Sequence, residues 1–303
     1  MQLIYEGVDI TNDVEINRAE VTDSAGGQAD SLEIKFSDAQ KLWSKWKPEK
    51  NHRIELKKGG FSSGVMFIDS WVQLPGFFIL RALSVPQEVK TPFYRAWEDV
   101  RFLEIVQEIA GRYGFQIQTF GIENHHYKRL NQSNKTDIEF LSDLCKLESY
   151  SLKITNKSIV IYNEVLIEKD VHIKKIYLED FDGDFYFEDS IAGAYSACQV
   201  LYGDIKAEAK DSAVKGPIKK VTDLYVSSIG EAQRFSAGIL RNLNKERAWG
   251  KCRIRLDPGI AAGSMVEISG VGISDGKYFC EKVVHEFVSG KTKLYLRRPL
   301  EGY

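Results

Sequence analysis

The residues of this 303-residue sequence that could do chemistry fall into a few clusters, and each departs from the spacing its chemistry requires. Gly270, Gly272 and Gly276 overshoot the dinucleotide-binding G-x-G-x-x-G by one residue, and no helix follows that could cradle a pyrophosphate, so they read as turn glycines. Gly59 to Gly64 is glycine-rich but lacks the Lys-Ser/Thr pair with which a phosphate loop grips phosphate and magnesium; a hairpin tip is expected there. Asp180, Asp182 and Asp184 open like a calcium loop, yet Phe185 stands at the glycine position and Ile191 where a bidentate Glu is needed. His285-Glu286 begins like the zinc-protease H-E-x-x-H, but Ser289 replaces the second histidine and the Val283-Val284 and Phe287-Val288 flanks favour a packed strand histidine. His125-His126 sit in a polar stretch with no third ligand at suitable spacing. Spacing leaves open a pair of converging carboxylates of the kind that hydrolyses glycosides, because any two of the 43 acids could meet in space. No catalytic, cofactor-binding or metal-ligating residue is assigned, and no cofactor is expected.

The bulk composition narrows the class. A chain of 34.4 kDa can bury two or three packed units without disulfides or metals. It is 43% hydrophobic and 28% charged, as ordered soluble proteins are. Net charge is −2, so there is no whole-protein positive field to favour nucleic acid. Tryptophans 43, 46, 71, 97 and 249 are scattered without interleaved bases, which argues for packing rather than a single-strand groove. Cysteines 145, 198, 252 and 280 show no close pairing and the amino terminus has no signal-peptide pattern, so reduced thiols in a protein made in the cytoplasm are expected. The longest apolar runs, such as Phe77 to Leu80, fall far short of the ~20 residues that span a bilayer.

Hydrophobic periodicity then supplies the elements. Residues 1 to about 90 alternate apolar and polar in short runs (Leu32, Ile34, Phe36; Ile54, Leu56; Met66, Ile68; Phe77, Ile79) between Gly and Pro breaks, which predicts an antiparallel β domain, a barrel or sandwich. From Asp99 to Tyr113 the spacing turns helical and Gly114 offers a left-handed C-cap; a strand at 115–120 should follow. Thr136 and Glu139 form a capping box for a second helix that buries Phe140, Leu141, Leu144 and Cys145. Leu152/Ile154 face Ile159/Ile161 in a hairpin turning at Asn156-Lys157. Strands return over 170–204. Residues 205–227, lysine-bearing and little patterned, read as a mobile loop. Ser228 and Glu231 cap a helix at 228–246 with Ala232, Phe235, Ile239, Leu240 and Leu243 on one side, and strands 250–256, 264–269, 277–285 and 292–298 end the chain. The division is a first β-barrel domain (1–94), an α/β insert (95–165) and a second β-barrel domain (166–303): α+β, mainly β. Six acids from Glu179 to Asp189 face no base, whereas residues 245–303 carry eleven Lys/Arg against seven Asp/Glu; the two stretches could meet across an interface or be solvated strand faces.

Two segments resemble a known family. The first runs Arg101-Phe102-Leu103-Glu104-Ile105-Val106-Gln107-Glu108-Ile109-Ala110, then Tyr113-Gly114-Phe115, then Gln132 to Leu144 and Glu148-Ser149-Tyr150. The second comprises Pro258-Gly259, Gly263 to Val266, Gly270-Val271-Gly272, Asp275-Gly276-Lys277-Tyr278, Val283-Val284-His285 and Gly290-Lys291-Thr292. In order and spacing they are similar to the tail hub proteins of contractile phages, the late control protein D family, related to the amino-terminal hub region of the type VI secretion spike protein. The resemblance covers about residues 95–300. It implies two tail-tube-like barrels per chain, a homotrimer forming a pseudo-sixfold ring, and contacts to a tail tube protein, a spike and a tape-measure protein, with DNA only as passenger through the channel. Because the chain stops soon after the second barrel, the spike is expected to be a separate polypeptide. Thr136, Glu139, Asp275, Gly276, Tyr278 and His285 are expected as fold determinants: Asp275-Gly276 as the positive-φ turn of a hairpin, Tyr278 and His285 at the start and end of the next strand. Lys215, Lys219 and Lys220 are the expected partner contacts, being on the supposed loop. The competing readings are a tail-tip peptidoglycan or polysaccharide hydrolase and a glycan-binding module with Trp stacking platforms.

Overall fold

A computed structural model describes residues 1–300. The first β unit contains β1 (Gln2–Tyr5), β2 (Val8–Asp9), β3 (Glu15–Ser24), β4 (Ser31–Ser37), the short helix α1 (Leu42–Trp46), β5 (Arg53–Lys58), β6 (Phe61–Ser62), β7 (Met66–Leu74) and β8 (Phe77–Leu83). Period-2 burial of Leu32, Ile34 and Phe36, with Leu3, Ile54, Leu56, Met66 and Ile68, builds one core around the indole of Trp43, which stacks on Phe78 at 5.3 Å. In β8 the inward residues are Phe78, Leu80 and Ala82, not the expected Phe77 and Ile79. A run as uniformly apolar as Phe77-Phe78-Ile79-Leu80 does not reveal its face; the one-to-one register with β4, Phe36 opposite Phe78, decides it.

The middle of the chain gives β9 (Pro92–Arg101), α2 (Phe102–Tyr113), β10 (Gln116–Phe120), β11 (His126–Thr136), α3 (Asp137–Leu147), β12 (Tyr150–Thr155), β13 (Ser158–Asn163) and α4 (Glu164–Glu168). Helix α2 starts three residues later than its periodicity suggested, because β9 continues to Arg101 as half of a long ribbon with β11. Gly114 adopts φ 65° as the left-handed C-cap. Thr136 Oγ1 accepts the Glu139 amide at 3.2 Å and Glu139 returns a bond to the Thr136 amide at 2.8 Å, completing the predicted box. The predicted hairpin forms in register, Leu152 opposite Ile161 and Ile154 opposite Ile159. Its two turn residues, Asn156 and Lys157, both take positive φ, as a type I′ turn requires. The polar stretch after His126 is strand β11 rather than loop; only Tyr127, Leu130 and Gln132 of it turn inward, too sparse a pattern to reveal a strand.

The last part holds β14 (Lys174–Tyr177), β15 (Tyr186–Asp189), β16 (Ala197–Tyr202), β17 (Ile205–Lys210), β18 (Ile218–Val221), α5 (Ile229–Asn244), β19 (Ala248–Arg255), β20 (Met265–Ser269), β21 (Gly276–Glu286) and β22 (Lys291–Arg297). The segment read as a mobile loop, 205–227, therefore holds two strands: β17 pairs antiparallel and β18 parallel with β16. Its lysines and alanines hid a period-2 strand, Ile205-Lys206-Ala207-Glu208-Ala209-Lys210, that buries only Ala207 fully. Val200 and Ala207, with Val226, Ala232 and Phe235, extend the core built by α2, α3 and the β12–β13 hairpin. Packing thus cuts across the sequence division at 165/166, since 197–244 shares its core with the middle of the chain.

Among the described residues no strand path closes into a barrel. One fourteen-stranded sheet follows the order β15-β19-β22-β21-β3-β4-β8-β7-β5-β1-β2, with β6 beside β5, β20 beside the start of β21 and β14 beside β20. The expected pair of closed barrels is replaced by two curled halves on one sheet, each over its own core. Curling is evident where Phe187 of β15 reaches Tyr278 of β21, ring centroids 5.3 Å apart, although two strands separate them in the sheet. Where α5 crosses the end of α3, Gly238 lies so near the Leu147 and Lys146 carbonyls that an added Cβ would collide with both. Gly238→Ala should lower stability by about 2 kcal/mol or more through this forced separation, despite alanine's better helix propensity, as urea unfolding would record.

Candidate assembly surface and the junction behind it

A buried ion cluster lies where the parts of the chain meet. Glu164 and Glu168 stand one turn apart on α4, and Arg241 and Lys245 one turn apart at the end of α5; Arg297 ends β22. Arg241 Nη2 meets Glu168 Oε1 at 2.9 Å, Lys245 Nζ meets Glu164 Oε1 at 2.7 Å, and Arg297 Nη1 meets Glu168 Oε1 at 2.7 Å. Arg297 Nε also pairs with Glu281 of β21, and Ser151 of β12 donates to Glu164. Both glutamates and both arginines are buried. Burial works to raise the Glu164 pKa, but Lys245 and Arg297 overcome it and hold the carboxyl at about 2. Sequence reading missed this cluster. Its one local signal was the pair of i,i+4 spacings, two acids on α4 and two bases on α5.

A third buried carboxylate, Glu148, accepts from Tyr127 at 2.8 Å and from Arg234 of α5 at 2.8 Å. A fourth, Asp137, accepts from Arg112 at 2.6 Å, Tyr113 at 2.9 Å and Gln132 at 2.9 Å. Each of these acids is tied to a cation, which suits cross-linking of elements. The first β unit meets the hairpin β12–β13 through Asp23, which pairs with Lys153 and accepts the Ala262 amide at 2.9 Å. Nearby Asp30 is buried, accepting the Ser24 amide at 3.0 Å. Burial pushes its carboxyl from 3.8 up to about 7, against the pull of Lys153.

The expected fold determinants occupy varied places. Asp275 accepts the amides of Gly270 and Val271 at 3.0 and 2.8 Å, and only Gly276 has positive φ; Asp275 itself is extended, contrary to the two-residue positive-φ turn. Tyr278 donates to the Ser274 carbonyl at 2.7 Å, under the Arg298 guanidinium. His285 is buried in β21 against Thr292 Oγ1 at 3.0 Å, and desolvation pushes its pKa down. Lys215 is exposed between β17 and β18, Lys220 is exposed on β18 and Lys219 half-buried on it. Strand β18 is an edge, paired only with β16, so Lys219 and Lys220 point to opposite faces of that edge. The acidic stretch at 179–189 meets the basic carboxyl-terminal part within one chain: Asp182 pairs with Arg253 at 2.9 Å and Lys291 at 2.8 Å, and β15 pairs with β19. The four cysteines are buried free thiols, with Cys198 pushed up to about 11 and Cys252 and Cys280 to about 12 by desolvation. Among the described residues no three of His, Cys, Asp and Glu gather as a metal requires, and no helix is long and apolar enough to cross a membrane.

Edge strands β2, β10, β14, β15 and β18 are unpaired on one side; Tyr177 of β14 and Phe185 and Ile191 on either side of β15 stand in solvent, as do Trp46, Trp71 and Ile273 elsewhere.

Arg297→Ala would leave two carboxylates buried beside one fewer cation and should cost about 3–5 kcal/mol in chemical denaturation. Asp30 predicts a pH effect of opposite sense to an ordinary ion pair. With the folded pKa above the unfolded one, its stabilising contribution is full below pH 3.8 and is lost as pH rises to about 7. Asp30→Asn should therefore gain on the wild type across that window and hold a constant advantage above it, measured by denaturation at pH 4, 6 and 8.

No family model matches the sequence, and no curated protein does. Solved structures do. The 43 kDa tail protein of prophage MuSo2 from Shewanella oneidensis superposes with TM-score 0.77 over 98% of this chain and 98% of that one, at 12% identity. A tail protein from Neisseria meningitidis MC58 gives TM-score 0.77 over 98% and 95%, also at 12% identity. An Escherichia coli component of the type VI secretion system, itself similar to T4 bacteriophage tail proteins gp27 and gp5, gives 0.67 over 100% and 78%, at 11% identity. From its first strand to its last, this chain has the fold of these tail proteins.

Proposed function

We propose that the chain is a structural hub subunit of a contractile tail baseplate. In this reading three copies form a pseudo-sixfold ring that joins the tail tube to a separate spike protein and frames the channel used by the tape-measure protein and by DNA as passenger. The observation that carries it is the fold shared with phage tail proteins over 98% of both chains. Two curled β halves on one sheet, both with open edges, suit it physically: repetition around an axis covers edges that a lone copy leaves exposed.

The reading is of a scaffold rather than an enzyme. Glu148, Glu164 and Glu168 are each ion-paired to a cation of α5 rather than facing one another over a cleft. We keep the division into 1–94, 95–165 and 166–303 as the proposed units, with 197–244 packed on the middle one. Lys215, Lys219 and Lys220 remain the proposed contacts to tube or spike, now as part of an edge strand. The protein would be made in the host cytoplasm and built into the tail of a particle.

Light scattering on the purified chain should give a mass near three times 34.4 kDa at high concentration. Reversing the three lysines to glutamate should leave that mass unchanged while weakening capture of the spike or tube protein. A monomer at every concentration that cleaves purified cell wall would sink the proposal.

A further inference from the structure

The first β unit carries an exposed aromatic face among lysines. Helix α1 turns Trp43 inward and Trp46 outward, and their rings meet at 5.2 Å. Phe78, stacked on Trp43, also stacks on the half-exposed Trp71 at 5.8 Å. Gln73 reaches Ser44 at 3.3 Å, so β7 and α1 present one surface. Lys41, Lys45 and Lys47 are exposed on it, and none is in an ion pair among the described residues. Lys41 and Lys47, flanking α1, hold φ of 56° and 51°, a left-handed conformation costly for a residue with a Cβ. A folded chain that strains its backbone to display an indole and leaves three cations unpaired around it has the apolar centre and charged rim of a docking site.

The second curled half carries a counterpart of opposite sign. Between β14 and β15, Tyr177, Leu178 and Phe185 are exposed together with Glu179, Asp180 and Asp184. Asp182 is neutralised internally by Arg253 and Lys291, but Glu179, Asp180 and Asp184 are in no ion pair among the described residues. The two faces sit over different cores, and the sheet path from β15 to β7 takes seven steps (β19, β22, β21, β3, β4, β8, β7).

We propose that these faces are the two halves of one subunit interface: the Trp46/Trp71/lysine face of one copy docks on the Tyr177–Phe185 acidic segment of the next. This rests on the ring reading and adds to it which surfaces meet. The contact is heterologous, each copy giving one face of each kind, so it repeats around an axis and closes when the rotation allows. The occupant is a second copy because the complementary charge and exposed aromatics lie on this same chain, on another core. Opposite charges at the rim set register and raise the association rate, while the indoles supply the buried area.

The test is the self-association of the full chain. Lys45→Glu/Lys47→Glu should weaken it by about a hundredfold or more and Trp46→Ala by at least about tenfold, with unchanged thermal unfolding of the monomer. Adding Glu179→Lys and Asp184→Lys to the double lysine reversal should restore association, since every interface then again joins opposite charges. A wild type that stays monomeric at all concentrations overturns the ring reading and this inference together. A wild-type trimer indifferent to the reversals, or weakened by them without rescue, overturns the inference alone. Reversals that spare the trimer but abolish capture of purified spike or tube protein assign the face to that partner instead of a second copy.

Discussion

Strand β21 is the constraint on which the rest of the molecule depends, because one of its edges serves two neighbours. Its first half, Gly276 to Phe279, pairs with β20, and its second, Lys282 to Glu286, pairs with β3 from the opposite end of the chain. The change falls at a register shift between Cys280 and Lys282 in the pairing with β22, where the Glu281 carbonyl accepts the Ala25 amide at 2.9 Å. A bulge bends its strand and sharpens the local twist, so the sheet turns from one core to the next there. Alternation along β21 then feeds both halves: Phe279 and Val283 enter one core, and Phe287, just beyond the strand, enters the other. Two curled halves joined this way behave as one sheet and cannot drift as beads on a linker.

The middle of the chain needs a different attachment, since it adds no strand to that sheet. Its hold is ionic. Glu164 and Glu168 on α4 receive Arg241 and Lys245 from α5 and Arg297 from β22, so three elements remote in sequence meet on two carboxylates. Burying such a cluster gains little net stability over apolar packing, but it tolerates no alternative docking, because a missing partner leaves a charge stranded in low dielectric. Asp23, shared by Lys153 and the Ala262 amide, repeats the device on the other side of the hairpin β12–β13.

Outside these junctions the chain treats its edges unevenly. β18 and β14 carry paired lysines and β15 carries acids, which keep edges from pairing indiscriminately. The exposed aromatics between and beside them are too large and too clustered for simple solvation.

The sequence by itself determined what local periodicity and capping determine. The Thr136–Glu139 box, the Gly114 cap, the Asn156-Lys157 turn and the four carboxyl-terminal strands were legible because each is set by residues within a few positions of one another. The resemblance to tail hub proteins came from such local strings, and the shared fold agrees with it. Strand β11 and the sheet at 205–221 were not legible: they are polar or alanine-rich, and their pairing partners lie in β9 and β16. Only tertiary structure decided that the two β halves form one open sheet, since that depends on β3 and β21 finding each other across more than two hundred residues. It also decided the fate of the charges. Nothing in the one-dimensional pattern distinguishes Asp182, matched to Arg253 and Lys291 in its own chain, from Glu179, which stands exposed and unmatched beside it, because an ion pair is fixed by distance in space.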